Sequence, residues 1–280
     1  MAPGNANTVS WRLVSPLAAT YVLLFLAPLL LLLTISLYDD SNLSRIGGTQ
    51  WVKFFGDPFY LSVIWRTVRL GLFTVGATTA LSLPLALVFC ASRPTIQRVL
   101  LLIVILPLLT SVVVRTFAWI AILAREGVIN ETLLSLGLVS EPFPLLQSEA
   151  GLVLALTQIE MPLMMLPLVT AMRAIDPSVL DASRALGASR WRTLFKVILP
   201  LSMPGWLAGA TLVFASSVTA FISQSVIGGG RLVYLPSVIW QQAMVVYNWP
   251  FAAVAAVTLL ATVLGGITLL AAAANRIGGR

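Results

Sequence analysis

The sequence predicts an all-α integral membrane protein, built as a six-transmembrane-helix bundle. Of the 280 residues, 59% are hydrophobic and 10% are charged, and the mean hydropathy is +0.97. So few polar residues cannot cover a soluble globule of this size with a hydrated surface. The apolar residues also fall into long runs, each sufficient for a span of about 20 residues. We therefore expect a single transmembrane domain over residues 1–280.

Six segments with no charge or one charge define the expected spans. The predicted spans are 13–38, 70–92, 99–124, 150–172, about 203–224 and about 251–274. The first run is longer than a signal-peptide core, which has about 7–15 apolar residues. The second contains Gly71, Gly76 and Pro84, which membrane helices tolerate. Arg115 is the single charge in the third span and Glu160 the single charge in the fourth.

The basic residues predict the orientation in the membrane. An even number of spans puts both termini on one side, together with these lysines and arginines: Arg12, Arg93, Arg98, Arg173, Arg184, Arg190, Arg192, Lys196, Arg276 and Arg280. The opposite loops contain Arg45, Lys53, Arg66, Arg69, Arg125 and Arg231. Cytoplasmic loops carry the excess of basic residues, so both termini are predicted to be cytoplasmic. The net charge of +7 is thus explained by the orientation in the membrane and by contact with membrane lipid. We expect no nucleic acid partner.

The composition argues against a catalytic or metal centre. Cys90 is the single cysteine and the chain has no histidine, so neither a disulfide nor a common metal site is expected within it. No G-x-x-x-x-G-K-[ST] phosphate loop is present, and Gly228–Gly230 lacks the required lysine. We expect no catalytic residues, no cofactor and no ATP hydrolysis by this chain.

The basic loop between the fourth and fifth spans has a clear helix start. Asp176 suits the N-cap position and Pro177 the first helical position. Two short apolar faces with helical spacing follow, separated by Gly187: first Ala182, Ala185 and Leu186, then Trp191, Leu194, Phe195 and Ile198. The pattern alone fits either a helix lying on the membrane surface or a docking surface for a partner.

The same loop resembles a motif of a known family. The order Asp181-Ala182-Ser183, then Gly187, Val197 and Leu199-Pro200 resembles the EAA loop of ATP-binding cassette (ABC) importer permeases. That motif is E-A-A, three residues, G, nine residues, I, one residue and L-P. The spacing matches throughout. Three positions differ: Asp181 replaces Glu, Ser183 replaces Ala and Val197 replaces Ile.

Weaker similarities extend over most of the chain after the first span. Five segments resemble the spermidine/putrescine branch of these permeases: Arg115–Trp119, Gly127–Asn130, Pro162 with Leu166–Leu168, Gly228–Gly229 and Trp249–Pro250. The resemblance implies the type I ABC importer permease fold and a location in the bacterial inner membrane.

The resemblance also implies partners. Residues from about 173 to 200 would form a coupling helix that docks on a separate ATPase subunit, where ATP is bound. The residues that this assigns to the coupling loop are Asp181, Ala182, Ser183, Gly187, Arg190, Leu199 and Pro200. A second permease subunit, expected to be a paralogue, and a periplasmic or surface solute-binding protein would complete the importer.

Two charges within the membrane are candidates for the translocation path. Arg115 and Glu160 lie at similar depths from the same ends of their spans, and a charge at mid-bilayer costs at least ~2.5 kcal/mol, so each needs a partner or a wet cavity. They form either a buried ion pair that joins two spans or a charged point on the path. The sequence leaves both interpretations open.

The fifth span carries polar residues that suit a pathway. Ser216, Thr219 and Ser223 follow an i, i+3, i+7 pattern, with Gln224 alongside. They would line a wetted path, or they would form hydrogen bonds between helices. In the same span, Gly205 and Gly209 permit close helix contact, at a subunit interface or within the chain.

The loops predicted to be outside are acidic, which bears on the solute. Residues 125–149 contain Glu126, Glu131, Glu141 and Glu149 around a short amphipathic helix expected from 128 to 136, a surface that would receive a binding protein. Carboxylates stabilise a cation that loses its water of hydration, so a polyamine or another small amine-bearing compound is the expected solute. Iron, thiamine and aminophosphonate remain alternatives, as does an ion-coupled secondary transporter that uses Glu160.

Overall fold

The computed structural model describes residues 11–278 and the side chains of residues 15–274. Within this part the chain is helical, and its one β-type contact is an isolated bridge between Tyr38 and Ile46. The helices are α1 (Trp11–Ile35), α2 (Thr49–Gly56), α3 (Pro58–Ala91), α4 (Pro94–Ile105), α5 (Val112–Leu123), α6 (Val128–Ser135), α7 (Glu149–Arg173), α8 (Pro177–Ala185), α9 (Arg190–Thr193), α10 (Leu199–Thr219), α11 (Phe221–Gly228), α12 (Leu235–Trp240) and α13 (Trp249–Gly278).

Five described helical stretches are long and apolar enough to cross a membrane. They are Ser15–Ile35, Pro58–Ala91, Glu149–Arg173, Arg190–Thr219 and Trp249–Ala274. They correspond to five of the six predicted spans. Three of the basic residues used to predict orientation, Arg12, Arg276 and Arg280, have side chains outside the described part.

The third predicted span is not one straight helix. A 3₁₀ turn at Leu106–Leu109 follows α4, and the helices on either side of the break are bent by 104°. Thr110 has extended backbone and Ser111 lies outside the helical region, with ψ of 147° and 136°. Pro107 contributes because it lacks the N–H that a continuing helix would need. If the bent pair counts as one span, the total is six.

The predicted fifth span also ends early. α10 stops at Thr219, and Ala220 has a ψ of 61°, outside the helical region, before the chain resumes as α11. At its other end, α10 continues α9 through a π-helical turn at Leu194–Ile198.

The described residues pack as two compact units. The smaller contains the described part of Met1–Pro58 with Ile239–Thr258, and the larger contains Phe59–Val238 with the described part of Leu259–Arg280. In the smaller unit, buried Phe54 contacts Phe251, with ring centroids 5.6 Å apart. The single-domain organisation stays a prediction.

The centre of the larger unit is the contact between α7 and α10. A Cβ atom on Gly205 would lie 2.4 Å from the Ala171 Cβ atom, and one on Gly209 would lie 3.0 Å from the Met164 Cα atom. The two glycines therefore allow the helix backbones to approach closely, and they serve internal packing. Trp206, on the same helix, donates from Nε1 to the Thr79 hydroxyl at 3.0 Å.

The buried side-chain amide of Asn130 stabilises the loop before α7 by hydrogen bonds to its backbone. Asn130 is fully buried; its Nδ2 donates to the Ala124 and Phe143 carbonyls at 3.0 and 3.1 Å, and its Oδ1 accepts from the Phe143 N–H at 2.9 Å. The short helix expected in this loop is confirmed as α6. Glu149, at the start of α7, forms an ion pair with Arg69 of α3, whose Nε donates to Oε1 at 2.8 Å.

Candidate translocation site and coupling loop

A cavity of about 510 Å³ lies among α5, α7, α10 and α11 of the larger unit. Its lining is mostly apolar with a few polar side chains, which is the usual character of a small-molecule site. The lining residues are Leu108, Val112, Arg115, Ile159, Glu160, Leu163, Ser216, Thr219, Ala220, Phe221, Ile222 and Ser223. The apolar members were not predicted, because apolar residues occur throughout every span and carry no distinguishing signal.

Both helix breaks border this cavity. Val112 is the first residue of α5, after the 104° bend, and Thr219 and Ala220 mark the end of α10. Helix ends leave backbone N–H and carbonyl groups without intrahelical partners. In transporters built from broken helices, such ends border solute and ion sites.

Arg115 and Glu160 both line the cavity but do not form an ion pair. Ion pairs join Arg69 to Glu149 and Arg184 to Asp181, but none joins Arg115 to Glu160. Nε and Nη1 of Arg115 are buried and have no hydrogen-bond partner. Glu160 is only 4% exposed, and the Ser216 hydroxyl lies next to its carboxylate. The sequence left two interpretations open, a buried ion pair that joins two spans and a charged point on the path. The structure does not contain that ion pair.

Three of the four polar residues proposed in the fifth span line the cavity. Ser216, Thr219 and Ser223 do so even though the helix breaks between the last two. The Ser223 hydroxyl also lies 3.2 Å from the Thr116 hydroxyl. Gln224 is not among the lining residues, because its side chain is fully buried and its Nε2 donates to the Ser217 carbonyl at 2.9 Å.

The 173–200 loop contains two short helices, as the spacing predicts. Asp176 caps α8 by accepting the Ser178 N–H at 2.8 Å, and this hydrogen bond lowers the pKa of the Asp176 carboxyl. Gly187 follows α8 with a φ of +73°, a conformation that glycine adopts without strain. Its N–H bonds the Arg184 carbonyl and the next N–H bonds the Ser183 carbonyl, which together form a Schellman motif.

A side-chain contact joins the two helices of the loop. The Ser183 hydroxyl lies 2.9 Å from the Thr193 hydroxyl, so the serine that departs from the EAA pattern connects α8 to α9. Asp181 pairs with Arg184 on the exposed surface, and Arg190 is exposed as well. Leu199 and Pro200 begin α10, so the loop leads directly into a helix that lines the cavity.

Large apolar side chains of the loop are exposed. Leu186 is 87% exposed, Trp191 71% and Phe195 60%, and the rings of the last two stack with centroids 6.0 Å apart. We refer to these three residues as the apolar patch. α8 itself has no buried residue, so its predicted apolar face does not pack against the described chain.

Residues 81–274 match the family model described as binding-protein-dependent transport system inner membrane component. The chain belongs to this family. It is therefore the transmembrane permease subunit of an ABC importer and an inner membrane component, as the EAA pattern implied. An ion-coupled secondary transporter, which the sequence left as an alternative, is not favoured.

Curated relatives cover most of this permease. It is 30% identical over 238 residues to the spermidine/putrescine transport system permease protein PotB of Haemophilus influenzae, covering 84% of this chain and 83% of that one. It is 29% identical over 273 residues to the putative 2-aminoethylphosphonate transport system permease protein PhnU of Salmonella choleraesuis, covering 92% and 94%.

Solved structures confirm the fold of the permease. A bacterial ABC transporter involved in the import of the acidic polysaccharide alginate aligns with a TM-score of 0.77 at 17% identity, covering 95% of this chain and 96% of that one. The MetNI methionine ABC transporter aligns with a TM-score of 0.57 at 19% identity, covering 78% and 94%. The predicted type I ABC importer permease fold is thereby confirmed.

Proposed function

We propose that this permease carries a small amine-bearing solute into the cell through the cavity around Arg115 and Glu160. ATP would be bound and hydrolysed by separate ATPase subunits that press on the 173–200 loop. A second permease subunit would complete the path, and a binding protein would deliver the solute. Both termini and the 173–200 loop would face the cytoplasm, and the chain itself would need no cofactor.

The observation that carries the coupling role is the apolar patch. Leu186, Trp191 and Phe195 are exposed on a loop that is held in shape by the Gly187 turn and the contact between Ser183 and Thr193. Trp191 and Phe195 stack on each other, and contiguous exposed apolar surface is typical of protein contact sites. Because the loop runs without interruption into α10, a displacement there would reach Ser216 and Thr219 at the cavity.

The amine-bearing class rests on the relatives and on Glu160. The names of two relatives refer to spermidine/putrescine and to 2-aminoethylphosphonate, which share an amine. A carboxylate that lines a mostly apolar cavity favours an ammonium group in the solute. Spermidine/putrescine and 2-aminoethylphosphonate both carry such an ammonium group.

Co-purification tests the coupling role. The tagged wild type, a Leu186→Ser variant and a Leu138→Ser variant would be isolated from membranes, and the amount of bound ATPase subunit would be compared. Leu138 is the matched control, because it is 67% exposed but lies after α6.

We expect the wild type and Leu138→Ser to retain the ATPase and Leu186→Ser to lose most of it. Since Leu186 is 87% exposed, its replacement removes contact area without disturbing the core. Equal ATPase recovery with all three proteins would refute docking on the apolar patch. A wild type that moves solute in vesicles without any ATPase would refute the proposed function as a whole.

A further inference from the structure

The cavity presents two opposite charges that do not pair with each other. We propose that it binds a small zwitterion, a solute that carries one ammonium group together with a carboxylate or phosphonate. This deepens the proposed function and rests on it, since it names the class of amine-bearing solute that the importer carries.

The anionic end of the solute is favoured by Arg115. Its guanidinium is charged at every accessible pH, and its Nε and Nη1 are buried donors without a partner in the protein. Arg115 lines the cavity, so an oxyanion of the solute would offset its positive charge there; Nε and Nη1 are covered by protein atoms, so this contact would not use them. Glu160 does not provide this pairing, because the two side chains form no salt bridge.

The helix break beside Arg115 favours the same end. α5 begins at Val112, which lines the cavity, and no side chain caps this helix start. The N-terminal end of a helix carries partial positive charge from its free N–H groups. Arg115 is located in the first turn of this helix, so both features favour an anion at one place.

The cationic end of the solute is favoured by Glu160. Its carboxylate is 4% exposed and has the Ser216 hydroxyl beside it. Thr219, the last residue of α10, also lines the cavity, and the C-terminal end of a helix carries partial negative charge. An ammonium group has three donors for such oxygens.

The pair of charges discriminates between solutes. A polyamine would satisfy Glu160 but would place further positive charge near Arg115, and a simple anion would satisfy Arg115 but repel Glu160. A zwitterion offers each side chain its opposite charge and adds no net charge to a cavity of low polarity. A volume of about 510 Å³ suits a small solute.

Equilibrium binding tests the proposal. The importer would be purified by a tag on this chain, with its ATPase and second permease subunit, and placed in lipid nanodiscs without the soluble binding protein. Four labelled probes would be compared: 2-aminoethylphosphonate and 3-aminopropanoate as zwitterions, ethylphosphonate as the anion without an amine, and putrescine as the dication. The first two probes distinguish phosphonate from carboxylate.

We expect at least one zwitterion to bind about tenfold or more tightly than both putrescine and ethylphosphonate, because each single-type probe leaves one buried charge unpaired. Arg115→Gln and Glu160→Gln should each weaken that zwitterion by about tenfold. In Glu160→Gln, ethylphosphonate should then bind at least as tightly as 2-aminoethylphosphonate. Lys53→Gln, which removes an exposed charge on α2, should bind like the wild type.

The reversal of preference in Glu160→Gln separates recognition from folding, because a misfolded variant would lose all probes together. Putrescine binding as tightly as the zwitterions would overturn the proposal, as would unchanged zwitterion binding in Arg115→Gln. Absence of zwitterion binding to the wild type would overturn it too. The ATPase that remains bound in each preparation reports separately on the proposed function.

Discussion

Replacing Gly205 by alanine should loosen the contact between α7 and α10. A Cβ atom at this position would lie 2.4 Å from the Ala171 Cβ atom and 2.5 Å from the Pro167 carbonyl oxygen. Carbon atoms in ordinary contact are about 3.5 Å apart, so the helices would have to separate by roughly 1 Å. The second obstacle is backbone, which cannot rotate away as a flexible side chain would.

The expected magnitude follows from known overpacking effects. Adding a methyl group to a well-packed core costs about 1–3 kcal/mol. For a chain of this size, a loss near 2 kcal/mol lowers the melting temperature by roughly 4–8 °C. The thermal midpoint of the purified protein in detergent would measure this shift.

Gly76 provides the matched control. It lies within α3, and no atom lies within 4 Å of a Cβ atom added there. Gly76→Ala gains helix propensity and meets no obstacle, so we expect an unchanged or slightly raised midpoint. If Gly205→Ala melted with the wild type, the close contact between α7 and α10 described above would be incorrect.

Two further predictions concern the loops. Gly187→Ala should reduce the co-purified ATPase about 5-fold or more, because a left-handed φ of +73° costs an L-residue roughly 1–2 kcal/mol, while Gly187→Asn should retain most of it. No atom lies near an added Cβ, so equal loss in both variants would show that the turn conformation is not the cause. Asn130→Ala should destabilise the loop before α7 by about 1–3 kcal/mol, since the Phe143 N–H and the Ala124 carbonyl lose their partner. Faster proteolysis within residues 125–149 would reveal it; Thr132→Ala, on the exposed side of α6, should be cut like the wild type, and equal rates for both variants would contradict the prediction.

Local sequence patterns predicted much of the fold and the start of the first helix in the 173–200 loop. Apolar runs set the number and approximate limits of the spans, because the bilayer requires about 20 apolar residues from each helix regardless of its neighbours. Asp176 and Pro177 predicted where α8 begins, since caps act within one helical turn. These features depend on residues close together in the chain.

The cavity depended on the tertiary structure. Hydropathy does not distinguish a straight apolar helix from one bent by 104°, so the break before α5 was missed. Arg115 and Glu160 lie at matching depths in their spans, which permitted an ion pair. In the structure both side chains line the same cavity, but they form no salt bridge with each other. The predicted polar face assumed one continuous helix, but the helix breaks at Ala220. The Gln224 side chain therefore donates a hydrogen bond to the Ser217 carbonyl and does not line the cavity. The sequence by itself therefore determined which segments cross the membrane, whereas packing between distant segments decided which side chains meet, because contacts between helices are not encoded in the spacing of any one of them.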